Sequence, residues 1–125
     1  MKKQVDQSGR IEDARQTVWA YADGATRSLA MAAAVKRKAF AALRHKRITG
    51  ARALVRIYTA AIFLLLRDIV GIQGIRIELD REYPGYEADI KAMLLRKLRR
   101  VGLKVSADAI TVISIGKQSR AHKLA

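Results

Sequence analysis

Two apolar runs in this chain each close on an aspartate: Val18-Trp19-Ala20-Tyr21-Ala22-Asp23-Gly24-Ala25 and Ile75-Arg76-Ile77-Glu78-Leu79-Asp80-Arg81-Glu82-Tyr83. If both runs are strands of one sheet, the two carboxylates can meet at its edge and hold a divalent cation. The remaining sequence has to supply the other elements of that sheet and the rest of the site.

Periodicity supplies the elements. Thr17 to Ala22 is β-branched and aromatic, with Asp23-Gly24 as a stop, and reads as a first strand. Ser28 to Val35, alanine-rich and so open to strand or helix, suits the returning arm of a hairpin, and Arg37 to Lys46, with loosely alternating Ala39, Ala41 and Leu43, reads as a third strand against its helix-favouring composition. From Thr49-Gly50 onward, Ala53, Leu54, Ile57, Tyr58, Ala61, Leu64 and Leu65 recur at helical spacing, which predicts a buried helix of about five turns. Ile75 to Leu79 alternates as a strand and is cut off by Pro84-Gly85. Ile90, Met93, Leu94, Leu98 and Val101 mark a second helix ending at Gly102, and Ile110 to Ile115 is the last strand.

These segments predict an α/β chain: a mixed five-stranded sheet, its first three strands antiparallel, with flanking helices. At 125 residues and 50% apolar content, one domain is expected over residues 14–125. Residues 1–13 are polar, lack the apolar stretch of a signal peptide, and read as a flexible lead-in. The apolar run from Ile57 to Leu66 is too short for a membrane span of about 20 residues, and without cysteine nothing points to an oxidising compartment. A cytoplasmic location is the expectation.

Charge narrows the partner. Twenty-five Lys and Arg against 11 Asp and Glu give a net charge of +14, which favours a polyanion, with nucleic acid ahead of an anionic membrane surface. No Asp or Glu occurs between Asp23 and Asp68, and that stretch carries Lys36, Arg37, Lys38, Arg44, Lys46, Arg47, Arg52 and Arg56. Arg96, Lys97, Arg99 and Arg100 add a second cluster on the later helix. Such fields neutralise phosphates without reading sequence. Trp19 and Tyr21 share one face of their strand and read as core.

The order of elements, with these motifs, resembles the ribonuclease H-like superfamily. Tyr21-Ala22-Asp23-Gly24-Ala25 is similar to that family's Tyr-x-Asp-Gly-Ser/Ala motif, and the Asp and Tyr of Leu79-Asp80-Arg81-Glu82-Tyr83 match its Thr-Asp-Ser-x-Tyr motif. Ser119 to Ala125 is similar to its Asn-x-x-Ala-Asp-x-Leu-Ala helix, with His122 in the acidic place. The resemblance implies two-metal hydrolysis on an RNA/DNA hybrid or duplex RNA. Asp23 and Asp80 would be metal ligands and catalytic residues, His122 would replace the last carboxylate, and Mg²⁺ or Mn²⁺ would be the cofactor. The family's helical Glu has no counterpart in Arg52 to Tyr58, so a carboxylate from Glu82, Glu12, Asp13 or a partner chain would have to complete the site. The other expectation is a non-catalytic, basic nucleic-acid-binding module that keeps the fold.

Overall fold

The computed structural model describes residues 2–23, 25–68 and 75–113. The chain runs β1 (Lys2–Ser8), β2 (Thr17–Asp23), β3 (Ala25–Met31), α1 (Ala33–His45), α2 (Gly50–Leu66), β4 (Arg76–Asp80), α3 (Glu87–Arg100), a 3₁₀ turn at Ala107–Ala109, and β5 (Ile110–Ile113). The five strands form one mixed sheet in the order β3-β2-β1-β4-β5. β1, β2 and β3 pair antiparallel, whereas β4 runs parallel to β1 and β5 parallel to β4.

The centre of the sheet is the segment that the sequence presents as a lead-in. Of the seven residues Lys2–Ser8, only Val5 is apolar, so no alternation marks a strand. Pairing on both edges compensates: β1 bonds to β2 on one side and to β4 on the other, which satisfies its backbone groups inside the sheet. Lys3 is buried, with its Nζ 5.6 Å from the centre of the Tyr21 ring. The stem packs while the charge meets the ring face.

Arg37 to Lys46, expected as a third strand, belongs to helix α1. Its Ala, Lys and Arg content favours a helix, and with β1 in place the antiparallel trio is already complete. α1 is held by an unusual anchor. Lys36 is 2% exposed, and its Nζ donates to Arg10 O (3.3 Å), Asp13 O (2.8 Å) and Thr17 Oγ1 (3.1 Å). Three donors meet three acceptors, which compensates the buried ammonium and ties α1 to the β1–β2 loop. Burial still lowers the Lys36 pKa, against the pull of Asp13 and Glu12.

One face of the sheet makes the core. Val5, Trp19, Tyr21, Ile77, Leu79 and Ile110 share it, and they pack against Ile62, Leu65 and Leu66 of α2 and Ile90, Leu94 and Leu98 of α3. The buried Trp19 donates its Nε1–H to Gln7 Oε1 at 2.9 Å, so the ring is packed and its one donor is satisfied. By alternation the opposite face carries Gln4, Asp6 and Ser8 of β1 beside Glu78 and Asp80 of β4. The core therefore fixes the register that lines up these polar side chains.

Candidate metal centre

Val5 is in register with Leu79 on the parallel pair β1 and β4. One residue further on, Asp6 and Asp80 stand side by side on neighbouring strands, whose spacing is about 4.8 Å. Both lie on the face away from the core. Glu82 follows two residues after Asp80, just beyond the strand. Carboxylate oxygens of Asp6, Asp80 and Glu82 all come within 4.8 Å of one another. Asp6 is 3% exposed, and the other two are half-buried.

Like charges at this separation raise one another's proton affinity. Glu82 is pushed up to about 7, first by burial and then by the charges of Asp80 and Asp6. Asp6 is oriented by the Gln7 backbone N–H, which donates to its Oδ1 at 2.8 Å. On the same face, Gln4 Nε2 donates to Glu78 Oε1 at 2.9 Å and bridges β1 to β4.

Tyrosines flank the cluster. Tyr58 of α2 is buried, and its ring meets that of Tyr83 edge-on, with centroids 5.2 Å apart and planes at 68°. Burial raises the Tyr58 pKa well above the phenol range, and Glu82, Tyr83, Asp80 and Asp6 add to it. Tyr83 is pushed up to about 12, again mainly by burial. Both phenols keep their protons at neutral pH, so neither adds charge to the three carboxylates.

Asp23 lies elsewhere. Tyr21 pairs with Val5 on antiparallel strands, which sets Asp23 opposite Lys3, three residues back along β1 from Asp6. That is about 10 Å along the strand, toward the other end of the sheet. An antiparallel strand carries its final residue away from the carboxyl ends of its parallel neighbours, so the register does not bring Asp23 to Asp80. Asp6 holds the place expected of Asp23. Of the carboxylates considered for completing the site, Glu82 is the one found beside Asp80. His122 lies outside the described residues.

The sequence did carry a signal for Asp6. Val5-Asp6 is followed by Ser8-Gly9, so it too is an apolar residue and an aspartate ahead of a turn. Gly9 adopts φ 81°, and a Cβ there would come within 2.8 Å of Gln16 O, so the turn after Asp6 requires glycine.

The cations fall into three groups. Lys36 is spent on the β1–β2 loop and is not available to a phosphate, contrary to the sequence expectation. Arg37, Lys38, Arg44, Lys46 and Arg47 are exposed on α1 and the turn after it. Arg52 and Arg56 of α2 face Arg96 of α3 across a groove. At the end of α3, Lys97, Arg99 and Arg100 oppose the negative end of the helix dipole, and Arg99 also donates to Val105 O through Nε (3.3 Å) and Nη2 (2.9 Å). Arg99 thus has a structural contact that accounts for it. No helix among the described residues is long and apolar enough to cross a membrane.

Compared with known proteins, the chain matches no family model, no curated relative and no solved structure.

Proposed function

We propose that this chain is a ribonuclease H-like nucleic-acid-binding protein that hydrolyses phosphodiester bonds with a divalent cation held by Asp6, Asp80 and Glu82. The observation that carries the proposal is the convergence of these three carboxylates at the carboxyl ends of adjacent parallel strands, in a chain of net charge +14. A cluster of negative charge at the strand ends of so basic a molecule suits a cation that would also meet a phosphate. The strand order, an antiparallel trio continued by two parallel strands, supports the ribonuclease H-like reading.

The donor set fits the cation. Three carboxylates are hard oxygen ligands, which suit Mg²⁺ and Mn²⁺. When bound, such a cation neutralises charge on the scissile phosphate and lowers the pKa of a coordinated water. The chain's own groups do the rest. Asp6 and Asp80 are fixed by sheet register, and Glu82 gives up its proton near neutral pH once a positive charge offsets its neighbours. Exposed Arg and Lys on α1, α2 and α3 hold the phosphate backbone, with an RNA/DNA hybrid or duplex RNA as the substrate class.

The test is cleavage of an end-labelled hybrid with Mg²⁺ and with Mn²⁺. Asp6→Asn and Asp80→Asn should each abolish cleavage, whereas Asp23→Asn should leave it intact. Cleavage that survives both of the first two changes rules the proposal out.

A second reading, a binding module without catalysis, is favoured by the absence of any acid on α2. It predicts binding to the same duplexes that falls steeply with salt and is unchanged by EDTA, with no product formed.

A further inference from the structure

We infer that the groove between α2 and α3 is a binding site for a single phosphate-bearing nucleotide unit, with Arg52, Arg56 and Arg96 on the phosphate and Tyr86 and Met93 under the base. It rests on the nucleic-acid part of the proposed function and does not need the metal centre. Arg52 and Arg56 are one turn apart on α2, so both side chains leave the same helical face. Arg96 lines the groove from α3. The cavity holds about 230 Å³, a little below the range of roughly 300 to 1,000 Å³ common for small-molecule pockets. A duplex does not fit in such a space, whereas one nucleotide unit can set its phosphate and part of its base into the open groove.

The charge in the groove is not balanced from within. None of the three guanidinium groups makes a hydrogen bond or an ion pair among the described residues. Asp89 lines the same groove, yet it pairs with none of them. By contrast, Arg27 is committed to Asp68 at 2.7 Å, and Arg99 to Val105 O. The three guanidiniums outnumber the single carboxylate of Asp89 around the cavity, which leaves a positive excess for an anion, and phosphate oxygens match their forked donors. The groove also has an aromatic and apolar side in Tyr86 and Met93. A base can lie against it without any hydrogen-bond readout, as in sequence-tolerant single-strand binding.

The nucleotide unit can belong to a nucleic-acid strand or be a free mononucleotide, and binding of both in EDTA separates the sources. The probes are a fluorescein-labelled 12-residue single-stranded oligonucleotide, an unlabelled nucleoside monophosphate and inorganic phosphate. The wild-type chain should bind the oligonucleotide. A variant carrying Arg52→Gln, Arg56→Gln and Arg96→Gln should bind it at least tenfold more weakly. Its slope of log K against log salt should shrink by about 0.7, as expected when the one single-strand phosphate held by the three arginines is lost. Lysine at the same three positions should restore the slope, and Tyr86→Ala should weaken binding with the slope unchanged. All three arginines are exposed, so the variants should keep the wild-type circular dichroism spectrum.

If the triple variant matches the wild type in affinity and slope, the groove is not the site, although the nucleic-acid reading survives. If the monophosphate binds in an arginine-dependent way and the oligonucleotide does not, the groove stands and the nucleic-acid reading falls. If neither nucleotide probe binds at low salt, the inference is overturned, whatever inorganic phosphate does.

Discussion

Asp6 and Asp80 occupy successive positions beyond the Val5–Leu79 pair of two parallel strands, so the hydrophobic register of the sheet holds the two carboxylates side by side. The same pairing that buries Val5 and Leu79 on one face presents both acids on the other. A slip of one residue in β1 would move Asp6 to the core face and break the cluster. Site geometry and core packing are therefore one property of this fold, and changes at some distance from the acids should be felt there.

Lys36 is one such distant group. Replacing it with methionine keeps most of the packed stem but removes all three hydrogen bonds from Nζ: Arg10 O still accepts from Asp13 N and Thr17 Oγ1, whereas Asp13 O loses its 2.8 Å bond. Lys36→Met should destabilise the protein by about 2 kcal/mol, measured by urea denaturation. Lys38→Gln, on the exposed side of α1, should change stability by less than about 0.5 kcal/mol. Equal effects of the two substitutions would mean that the buried anchor contributes nothing.

The turn after Asp6 is a second. Gly9 sits at φ 81° with Gln16 O only 2.8 Å from where a Cβ would stand. Gly9→Ala should cost about 2 kcal/mol from the left-handed backbone and the contact together. It should also weaken divalent-cation binding, because the loop bears on the end of β1. A thermal melt with and without Mn²⁺ reads both effects.

Much of this architecture could be read directly from the residues, and the failures have a common cause. α2, β4, α3 and β5 bury continuous or periodic apolar faces, so Ala53 to Leu65, Ile77 with Leu79, Ile90 to Leu98, and Ile110 announce themselves. β1 buries one apolar residue, Val5, and is held by pairing on both edges. Long-range pairing of that kind leaves no local pattern to read. Without β1, the residues of α1 offer themselves as the third strand, and Asp23 as the other aspartate that closes an apolar run, whereas the register sets Asp6 beside Asp80. Asp80 is visible because it ends a strand with a clear apolar alternation, and Glu82 because it follows two residues later.

The raised pKa of Glu82 sets a pH dependence for the metal-free protein. Its folded-state value of about 7 lies above the unfolded value of 4.5, so the folded state binds the proton more tightly. Stability is then fully present below pH 4.5 and is lost as pH rises toward 7, by on the order of 2 kcal/mol after allowing for partial solvent screening. Denaturant melts in EDTA from pH 4.5 to 8 should show this decline. Glu82→Gln should flatten it, and an unchanged profile in that variant would assign the slope to other groups.

Divalent cation should reverse the decline. At pH 8, Mg²⁺ or Mn²⁺ offsets the repulsion among ionised Asp6, Asp80 and Glu82, whereas at pH 5 it competes with the Glu82 proton. The gain in melting temperature on adding cation should therefore be larger at pH 8 than at pH 5. A gain independent of pH would place the cation elsewhere.

The most direct measurement is Mn²⁺ binding, by electron paramagnetic resonance of the free ion, to the wild type and to Asp6→Asn, Asp80→Asn and Asp23→Asn proteins at pH 8. The account predicts that Asp6→Asn and Asp80→Asn each weaken binding at least tenfold, while Asp23→Asn binds as the wild type does. Loss of binding in Asp23→Asn with Asp6→Asn unaffected would contradict it.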